Sequence, residues 1–108
     1  MIKKLVTLAA LAMLLGSPTS YAAIYSGNLL VGHCEPDDAT FTDGLCYGYV
    51  YGVYDVIEGA RACAPDVVTG KQLVNIVRKY LKENPENLHH NAASLVTFAL
   101  AQAFPCSD

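Results

Sequence analysis

Residues 43–60 read DGLCYGYVYGVYDVIEGA, and the fold class of the chain depends on whether this stretch is a helix or a strand. Its apolar residues recur at helical spacing over four turns, and they are Cys46, Tyr49, Val50, Val53, Val56, Ile57 and Ala60. Because valine and tyrosine also suit strands and each glycine costs a helix about 1 kcal/mol, a strand over residues 47–54 is the alternative. We predict a helix from about residue 43 to residue 62, because the helical period persists along the whole stretch.

Glycines and tyrosines form two further rows on this predicted helix. The glycines are Gly44, Gly48 and Gly52, and the tyrosines are Tyr47, Tyr51 and Tyr54. Since glycine lets another backbone approach closely, the favoured interpretation is tight packing of Gly48 and Gly52 against a helix of the same chain. The alternative is a seam between two copies of the chain, with Tyr47 and Tyr51 at an interface, where tyrosine is enriched.

Capping signals predict one helix before this stretch and another after it. Ser26 is suited to cap a short helix that ends near Cys34. Thr69 and Gln72 have the spacing of a capping box, and an amphipathic run follows them. Basic residues mark the outward face of this later helix, namely Lys71, Arg78, Lys79 and Lys82.

A fourth helix is predicted from the pair Asn84-Pro85, which is typical of a helix start, to about Phe104. No repeat, linker or low-complexity segment divides the chain. Together these patterns predict a small all-α fold, a disulfide-stapled bundle of four main helices.

The first 22 residues have the three-part form of a secretory signal peptide. Lys3 and Lys4 precede an apolar run over residues 5–16, and Ala22 ends a cleavage motif of small residues. The apolar run is too short for a membrane-spanning helix, which needs about 20 residues. We expect cleavage after Ala22 and export of one domain, residues 23–108, and an uncleaved membrane anchor is the alternative.

Removal of residues 1–22 leaves an acidic protein. It removes two of the seven basic residues and none of the ten acidic ones, so the formal charge becomes −5. A basic surface for nucleic acid is therefore absent, and acidic membrane surfaces would repel the protein. We expect neither nucleic acid nor, after cleavage, a membrane as its partner.

The four cysteines are Cys34, Cys46, Cys63 and Cys106. An even count in a small exported chain predicts two disulfides. The spacings suit neither zinc ligation nor a thioredoxin-like pair, and no cofactor is expected. If successive helices run antiparallel, Cys34 pairs with Cys46, and Cys63 pairs with Cys106 at the other end of the bundle.

Residues that could carry catalysis are few. Asp55 and Glu58 lie three residues apart on the second predicted helix, but solvent or partner charges explain them more simply. His89 and His90 are sequence neighbours that face different directions on a helix, so one metal ion would not easily bind both. We predict that the protein is not an enzyme.

A set of ordered motifs resembles the Rap/Tai family of bacterial immunity proteins. They are C-x-G-Y-x-x-G from Cys46, C-x-P from Cys63, T-x-x-Q-L from Thr69 and A-F-P-C from Ala103. The resemblance implies a periplasmic, all-helical homodimer with intramolecular disulfides. It also implies that the partner is a toxic effector delivered by type VI secretion, such as a peptidoglycan amidase, which the protein binds and inhibits.

Three loops could enter the cleft of a toxin, and the first is the best candidate. It covers residues 35–43, and a Cys34–Cys46 disulfide would hold both of its ends, which lowers the ordering cost of binding. Its acidic residues are Glu35, Asp37, Asp38 and Asp43, and Phe41 is the candidate apolar anchor. The alternative, which the sequence slightly favours, is a solvated acidic loop with Phe41 packed into the bundle. The other two loops cover residues 64–69 and 83–87.

A second functional hypothesis comes from a different class of protein, the periplasmic acid-stress chaperones of the Hde kind. Small disulfide-bonded helical proteins of that kind loosen at low pH and expose apolar surface. The ten acidic residues and the apolar helices are compatible with such behaviour. The gene neighbourhood separates the two hypotheses, since an adjacent secreted amidase favours immunity and an acid-resistance cluster favours the chaperone.

Overall fold

The computed structural model describes residues 24–36 and 39–107, and these form a bundle of α-helices. The helices are α1 Gly27–Cys34, α2 Phe41–Ile57, α3 Gly70–Glu83 and α4 Ala92–Ala103, with a 3-10 turn Pro85–Asn87 between the last two. These residues contain isolated β-bridges but no strand. The predicted all-α fold with four main helices is confirmed. The predicted signal peptide lies outside the described residues.

Capping side chains begin α1 and α3 where the sequence predicts. The Ser26 hydroxyl accepts a hydrogen bond from the Leu29 N–H at 3.2 Å. At α3 the capping box is complete: the Thr69 hydroxyl accepts from the Gln72 N–H at 3.2 Å, and the Gln72 side chain accepts from the Thr69 N–H at 2.7 Å. Both helices therefore start by satisfying backbone donors that would otherwise lack a partner.

Helix α2 is a helix as predicted, but its ends differ from the prediction. It begins at Phe41, because the hydroxyl of Thr40 accepts from the Asp43 N–H at 3.4 Å and caps it there. It ends at Ile57, because Gly59 turns the chain with a positive φ of 80°, a conformation that favours glycine. The strand alternative over residues 47–54 is wrong.

The predicted start of the fourth helix at Asn84-Pro85 is wrong. Pro85 opens only the 3-10 turn, and α4 begins at Ala92 after a cap by Asn91, whose side-chain oxygen accepts from the Ala93 N–H at 2.8 Å. Asn84 instead donates its side-chain amide to the Tyr80 carbonyl at the end of α3, at 2.8 Å.

The chain between the 3-10 turn and α4 is not helical because its carbonyls serve α1. The Leu88 carbonyl accepts from the Asn28 N–H at 2.8 Å, and the His90 carbonyl accepts from the Gly27 N–H at 2.9 Å. These donors lie in the first turn of α1, where no intrahelical partner exists. A continuous fourth helix would use the same carbonyls internally and leave the start of α1 unsatisfied.

All four helices contribute to one hydrophobic core. Its buried members are Leu30, Cys34, Cys46, Val50, Ile57, Ala62, Leu73, Val74, Val77, Leu81, Ala92, Leu95, Val96, Ala99 and Leu100. Val56, which the sequence places on the apolar face of α2, is instead 82% exposed. Within the described part of the chain, no helix combines the length and apolar character needed to cross a membrane.

The glycine row on α2 does not contact a neighbouring helix. A Cβ atom built at Gly48 or at Gly52 would have no heavy atom within 4 Å beyond its own local helix. Both residues are exposed. The favoured interpretation, close packing of Gly48 and Gly52 within the monomer, is therefore wrong.

Close approaches occur at two other glycines. A Cβ atom at Gly27 would lie 2.8 Å from the Leu88 carbonyl oxygen, so only glycine lets α1 dock on that backbone. A Cβ atom at Gly70 would overlap the ring of Tyr51, which covers the start of α3. These two glycines, rather than the row on α2, permit the helix packing of the bundle.

An aromatic contact attaches the residues before α1 to the bundle. Tyr25 stacks on Tyr49 of α2 with ring centroids 4.9 Å apart, and its carbonyl accepts from the Ala92 N–H at 2.9 Å. Burial raises the pKa of the Tyr49 hydroxyl, the neighbouring Tyr25 raises it further, and a hydrogen bond with the backbone of Ala93 lowers it. The segment is thus tied to both α2 and α4.

Candidate partner-binding surface

Two disulfides, with the predicted pairing, close the two ends of α2. Cys34 at the end of α1 is bonded to Cys46 in α2, and both side chains are buried. Cys63, beyond the end of α2, is bonded to Cys106, and its N–H also donates to the Phe104 carbonyl at 2.8 Å. The first disulfide spans the connection between α1 and α2, so it holds both ends of the candidate loop.

Hydrogen bonds from Arg78 of α3 hold the same loop in addition to the disulfide. Its Nε–H donates to the Cys34 carbonyl at 2.7 Å, and Nη2 donates to the Asp43 carboxylate at 2.5 Å and to the Pro36 carbonyl at 3.5 Å. One guanidinium group therefore joins the two sides of the loop. The prediction that Arg78 lies on the outward face of its helix is wrong, because the side chain reaches across to the loop and is largely buried.

Asp43 is not available to a partner, contrary to the expectation that the loop presents it. The residue is 6% exposed, and its carboxylate forms an ion pair with Arg78. Tyr47 adds to this cluster, since the guanidinium carbon lies 5.4 Å from its ring centroid, within the range of a cation–π contact. The contacts among Arg78, Asp43 and Tyr47 therefore hold the loop in place.

Phe41 is the apolar feature that the loop presents to solvent. It is the first residue of α2, and it is 82% exposed. The alternative in which Phe41 packs into the bundle, which the sequence slightly favoured, is wrong. Glu35 is exposed at the other side of the loop. Asp37 and Asp38 lie outside the described residues.

The loop over residues 64–69 carries an exposed apolar side chain that is not among the residues predicted to bind a partner. Val67 is 86% exposed, while the adjacent Val68 packs against the core. The sequence does contain a signal for this exposed side chain. Two adjacent valines lie between a proline and a helix cap, and only one of them can face the core. Among the described residues, the loop over residues 83–87 exposes no comparably large apolar side chain.

The outward face of α2 forms a second candidate surface, which we call the glycine face. Its exposed residues are Phe41, Gly44, Gly48, Tyr51, Gly52, Asp55 and Val56, of which only Asp55 is charged. At its edge Tyr47 meets Tyr51 edge-on, with ring centroids 5.7 Å apart. A helix face of this length with one charge is unusual for a surface that faces only water.

The remaining polar candidates do not assemble into a site. Asp55 and Glu58 are both exposed on the surface. His89 and His90 lie in the connection before α4 and not on a helix, and their rings are 4.0 Å apart, so the prediction that they face different directions is wrong. No group of three or more potential metal ligands occurs in residues 24–36 and 39–107.

A small helical scaffold with disulfide-held loops and isolated exposed apolar residues is typical of a protein that acts by binding. The sequence matches the family model of Rap1a immunity proteins over residues 26–106, a range that includes all four helices. The chain belongs to the Rap1a immunity protein family, which confirms the resemblance seen in its cysteine and glycine motifs. Membership of this family implies a toxin as the binding partner. A comparison with curated proteins found no match.

Proposed function

We propose that this protein is exported to the periplasm and there binds and inhibits a toxic effector delivered by type VI secretion, with a peptidoglycan amidase as the target. The family match supports the immunity role. The two disulfides support an oxidising compartment, since such bonds persist outside the cytosol. The family match lends no support to the acid-stress chaperone hypothesis.

One observation carries the choice of binding face, namely the exposure of Phe41 on a doubly held loop. An 82% exposed phenylalanine loses its contact with water when a partner covers it, which makes it a candidate hot spot. The Cys34–Cys46 disulfide and Arg78 hold the backbone on both sides of the loop before binding. Less conformational entropy is then lost on association. Inhibition needs only that the loop fill the cleft of the enzyme.

The charge of the protein adds a kinetic effect to this proposal. Asp37 and Asp38 give the loop sequence a negative charge, and the mature chain is acidic overall. Acidic groups around an apolar anchor would speed the encounter with a basic toxin and would have less effect on the dissociation rate. We therefore assign anchoring to Phe41 and steering to Asp37 and Asp38.

The Phe41→Ala variant tests the binding face. The effector is first recovered by co-purification with the wild-type protein, and its affinity is then measured by calorimetry. We expect Phe41→Ala to weaken binding by about 30-fold, or ~2 kcal/mol, because the side chain supplies the apolar contact. Asp37→Asn with Asp38→Asn should instead lower the association rate and its dependence on salt.

Val67→Ala is the matched control, since Val67 is equally exposed on a different loop. It should leave the affinity unchanged. If Phe41→Ala folds with an unchanged melting temperature and binds as tightly as the wild type, the loop is not the inhibitory element. Recovery of no cell-wall hydrolase in the co-purification would contradict the proposed target.

We further propose that the protein is a homodimer whose seam is the part of the glycine face that surrounds Gly48 and Gly52. Gly48 and Gly52 leave open space above the backbone of α2, so a helix of a second copy could approach closely there. Tyr47 and Tyr51 at the edge supply the aromatic area that interfaces favour. Phe41 lies two turns away at the start of α2, outside this part of the face, so the proposed dimer leaves it available to the toxin.

A double variant with leucine at Gly48 and Gly52 tests the dimer without disturbing the fold of the monomer. No neighbouring atom opposes a side chain at either position, so the double variant should keep the helical content and melting behaviour of a folded monomer. We expect sedimentation to show a dimer for the wild type and a monomer for the variant, because the side chains would hold the two helices apart. Lys71→Leu, which adds an exposed leucine on α3, should remain dimeric. A dimeric double variant or a monomeric wild type would contradict the proposed seam.

A further inference from the structure

A groove separate from the Phe41 loop and from the glycine face runs between α3, the 3-10 turn and α4. Its volume is about 780 Å³. It is lined by Tyr80, Glu83, Asn84, Asn87, His90, Asn91, Ser94, Leu95, Phe98 and Gln102. Side-chain amides and aromatic rings dominate this lining, and neither the immunity role nor the proposed dimer uses it.

Two aromatic rings form an apolar wall of the groove. Tyr80 of α3 and Phe98 of α4 lie with ring centroids 5.8 Å apart and their planes tilted by 50°. Phe98 is nevertheless 57% exposed, so the ring presents a large part of its area to solvent. An exposed ring that is held by a second ring offers a rigid surface at low entropic cost.

Two asparagine side chains are each anchored at one end and free at the other. The Asn84 amide nitrogen donates to the Tyr80 carbonyl at 2.8 Å, and its oxygen accepts no hydrogen bond from a described residue. The Asn91 side-chain oxygen accepts from the Ala93 N–H at 2.8 Å, and its nitrogen donates to no described residue. The residues that line the groove therefore include one amide oxygen and one amide nitrogen without a hydrogen-bond partner among the described residues.

Three other uncharged polar side chains of the groove also have hydrogen-bonding groups available to a ligand. Asn87, Ser94 and Gln102 line it, and their side chains make no hydrogen bond within the described residues. No lysine or arginine is among the lining residues, and Glu83 is the only carboxylate. His90 is the only basic residue of the lining, so phosphate finds neither lysine nor arginine here, and a neutral ligand rich in hydroxyl groups matches the amide and hydroxyl donors and acceptors.

We propose that this groove binds a neutral saccharide, with an N-acetylated amino-sugar oligomer as the best match. The apolar C–H face of a sugar ring can pack on Phe98, and the amides of Asn84 and Asn91 can pair with its hydroxyl and acetamido groups. Either a cell-wall glycan strand or a free oligosaccharide could supply this chemistry. The inference does not depend on the proposed toxin or on Phe41.

Titration with N-acetylglucosamine tetramer, followed by amide NMR, tests the groove. The protein is used with both disulfides formed, and we expect concentration-dependent shifts confined to residues that line the groove. Phe98→Ala should weaken binding at least about tenfold, because it removes the aromatic wall. If this variant loses its fold, Asn87→Ala, which breaks no internal hydrogen bond, should weaken the same interaction.

Phe41→Ala is the matched control, because it removes an exposed phenylalanine from another surface. It should leave saccharide binding unchanged, while Phe98→Ala should leave toxin binding unchanged. Maltotetraose, which lacks acetamido groups, should bind more weakly than the amino-sugar tetramer. Co-sedimentation with purified cell-wall sacculi would identify glycan strands as the source, and binding of the soluble tetramer alone would identify free oligosaccharides.

Three results would overturn the proposal. They are the absence of shifts up to the solubility limit of the tetramer, shifts outside the groove, and equal binding by folded Phe98→Ala. Shifts of the groove residues on addition of the toxin but not of the tetramer would likewise overturn it, since the groove would then be a protein contact.

Discussion

Replacement of Arg78 by methionine is expected to lower the free energy of unfolding by about 3–5 kcal/mol. The change leaves the Asp43 carboxylate buried without its ion-pair partner and removes the hydrogen bonds to the Cys34 and Pro36 carbonyls. Arg78→Lys should be intermediate, because an ammonium group keeps the charge but cannot reach several acceptors as a planar fork. Urea unfolding monitored by circular dichroism measures each loss.

A double-mutant cycle distinguishes the lost pair from a general packing defect. Asp43→Leu alone should also be destabilising, since it removes the buried carboxylate that accepts the short hydrogen bond from Arg78. The double variant Arg78→Met with Asp43→Leu should regain much of the loss, because an apolar pair of similar volume can replace a buried ion pair. Strictly additive losses in the cycle, or losses below about 1 kcal/mol for each single variant, would show that the pair does not stabilise the loop.

Removal of the Cys63–Cys106 disulfide is expected to cost about 4 kcal/mol on the chain-entropy model, because it closes a long loop of the chain. Serine at both positions isolates the cross-link, since Cys63 is exposed and Cys106 is half-buried. A loss of this size corresponds to a fall in melting temperature of roughly 20 °C for a domain of this length.

The Cys34–Cys46 disulfide provides the comparison for this prediction. It closes a shorter loop, for which the same model gives about 3 kcal/mol. Calorimetry of the serine variant at Cys63 and Cys106 under non-reducing conditions measures the loss directly. If its melting temperature falls by only a few degrees, the long loop is already restrained in the unfolded chain and the entropic account is wrong.

Local signals in the sequence predicted the elements that depend on a few neighbouring residues. Ser26 and the Thr69–Gln72 box cap helices where expected, because each cap is a contact between residues three apart. The disulfide pairing also followed from the sequence, because short connections make successive helices antiparallel and bring cysteines at their ends together. The family motifs have the same local character.

The candidate site was predicted only in part. The loop and its Cys34–Cys46 disulfide were predicted from the positions of the cysteines relative to the helices. Arg78, in contrast, cannot be distinguished in the sequence from the other basic residues of a charged helix face. Its role depends on acceptors from the distant residues Cys34, Pro36 and Asp43, and periodicity within α3 carries no information about them. The exposure of Phe41 likewise depends on where Thr40 starts α2, which sets the direction of the first turn.

The helical class, the two disulfides and the family of this protein can all be predicted from its sequence, because they rest on local periodicity, capping and the order of the cysteines. The outward orientation of the glycine row on α2, by contrast, depends on the tertiary packing. Gly48 and Gly52 have the spacing of a packed ridge, yet they face outward, while Gly27 and Gly70 permit the close approaches. The start of α4 likewise depends on contacts between distant residues, because the Leu88 and His90 carbonyls accept hydrogen bonds from the first N–H groups of α1. A backbone group takes whichever partner the folded chain brings nearest, and that partner lies far away in sequence.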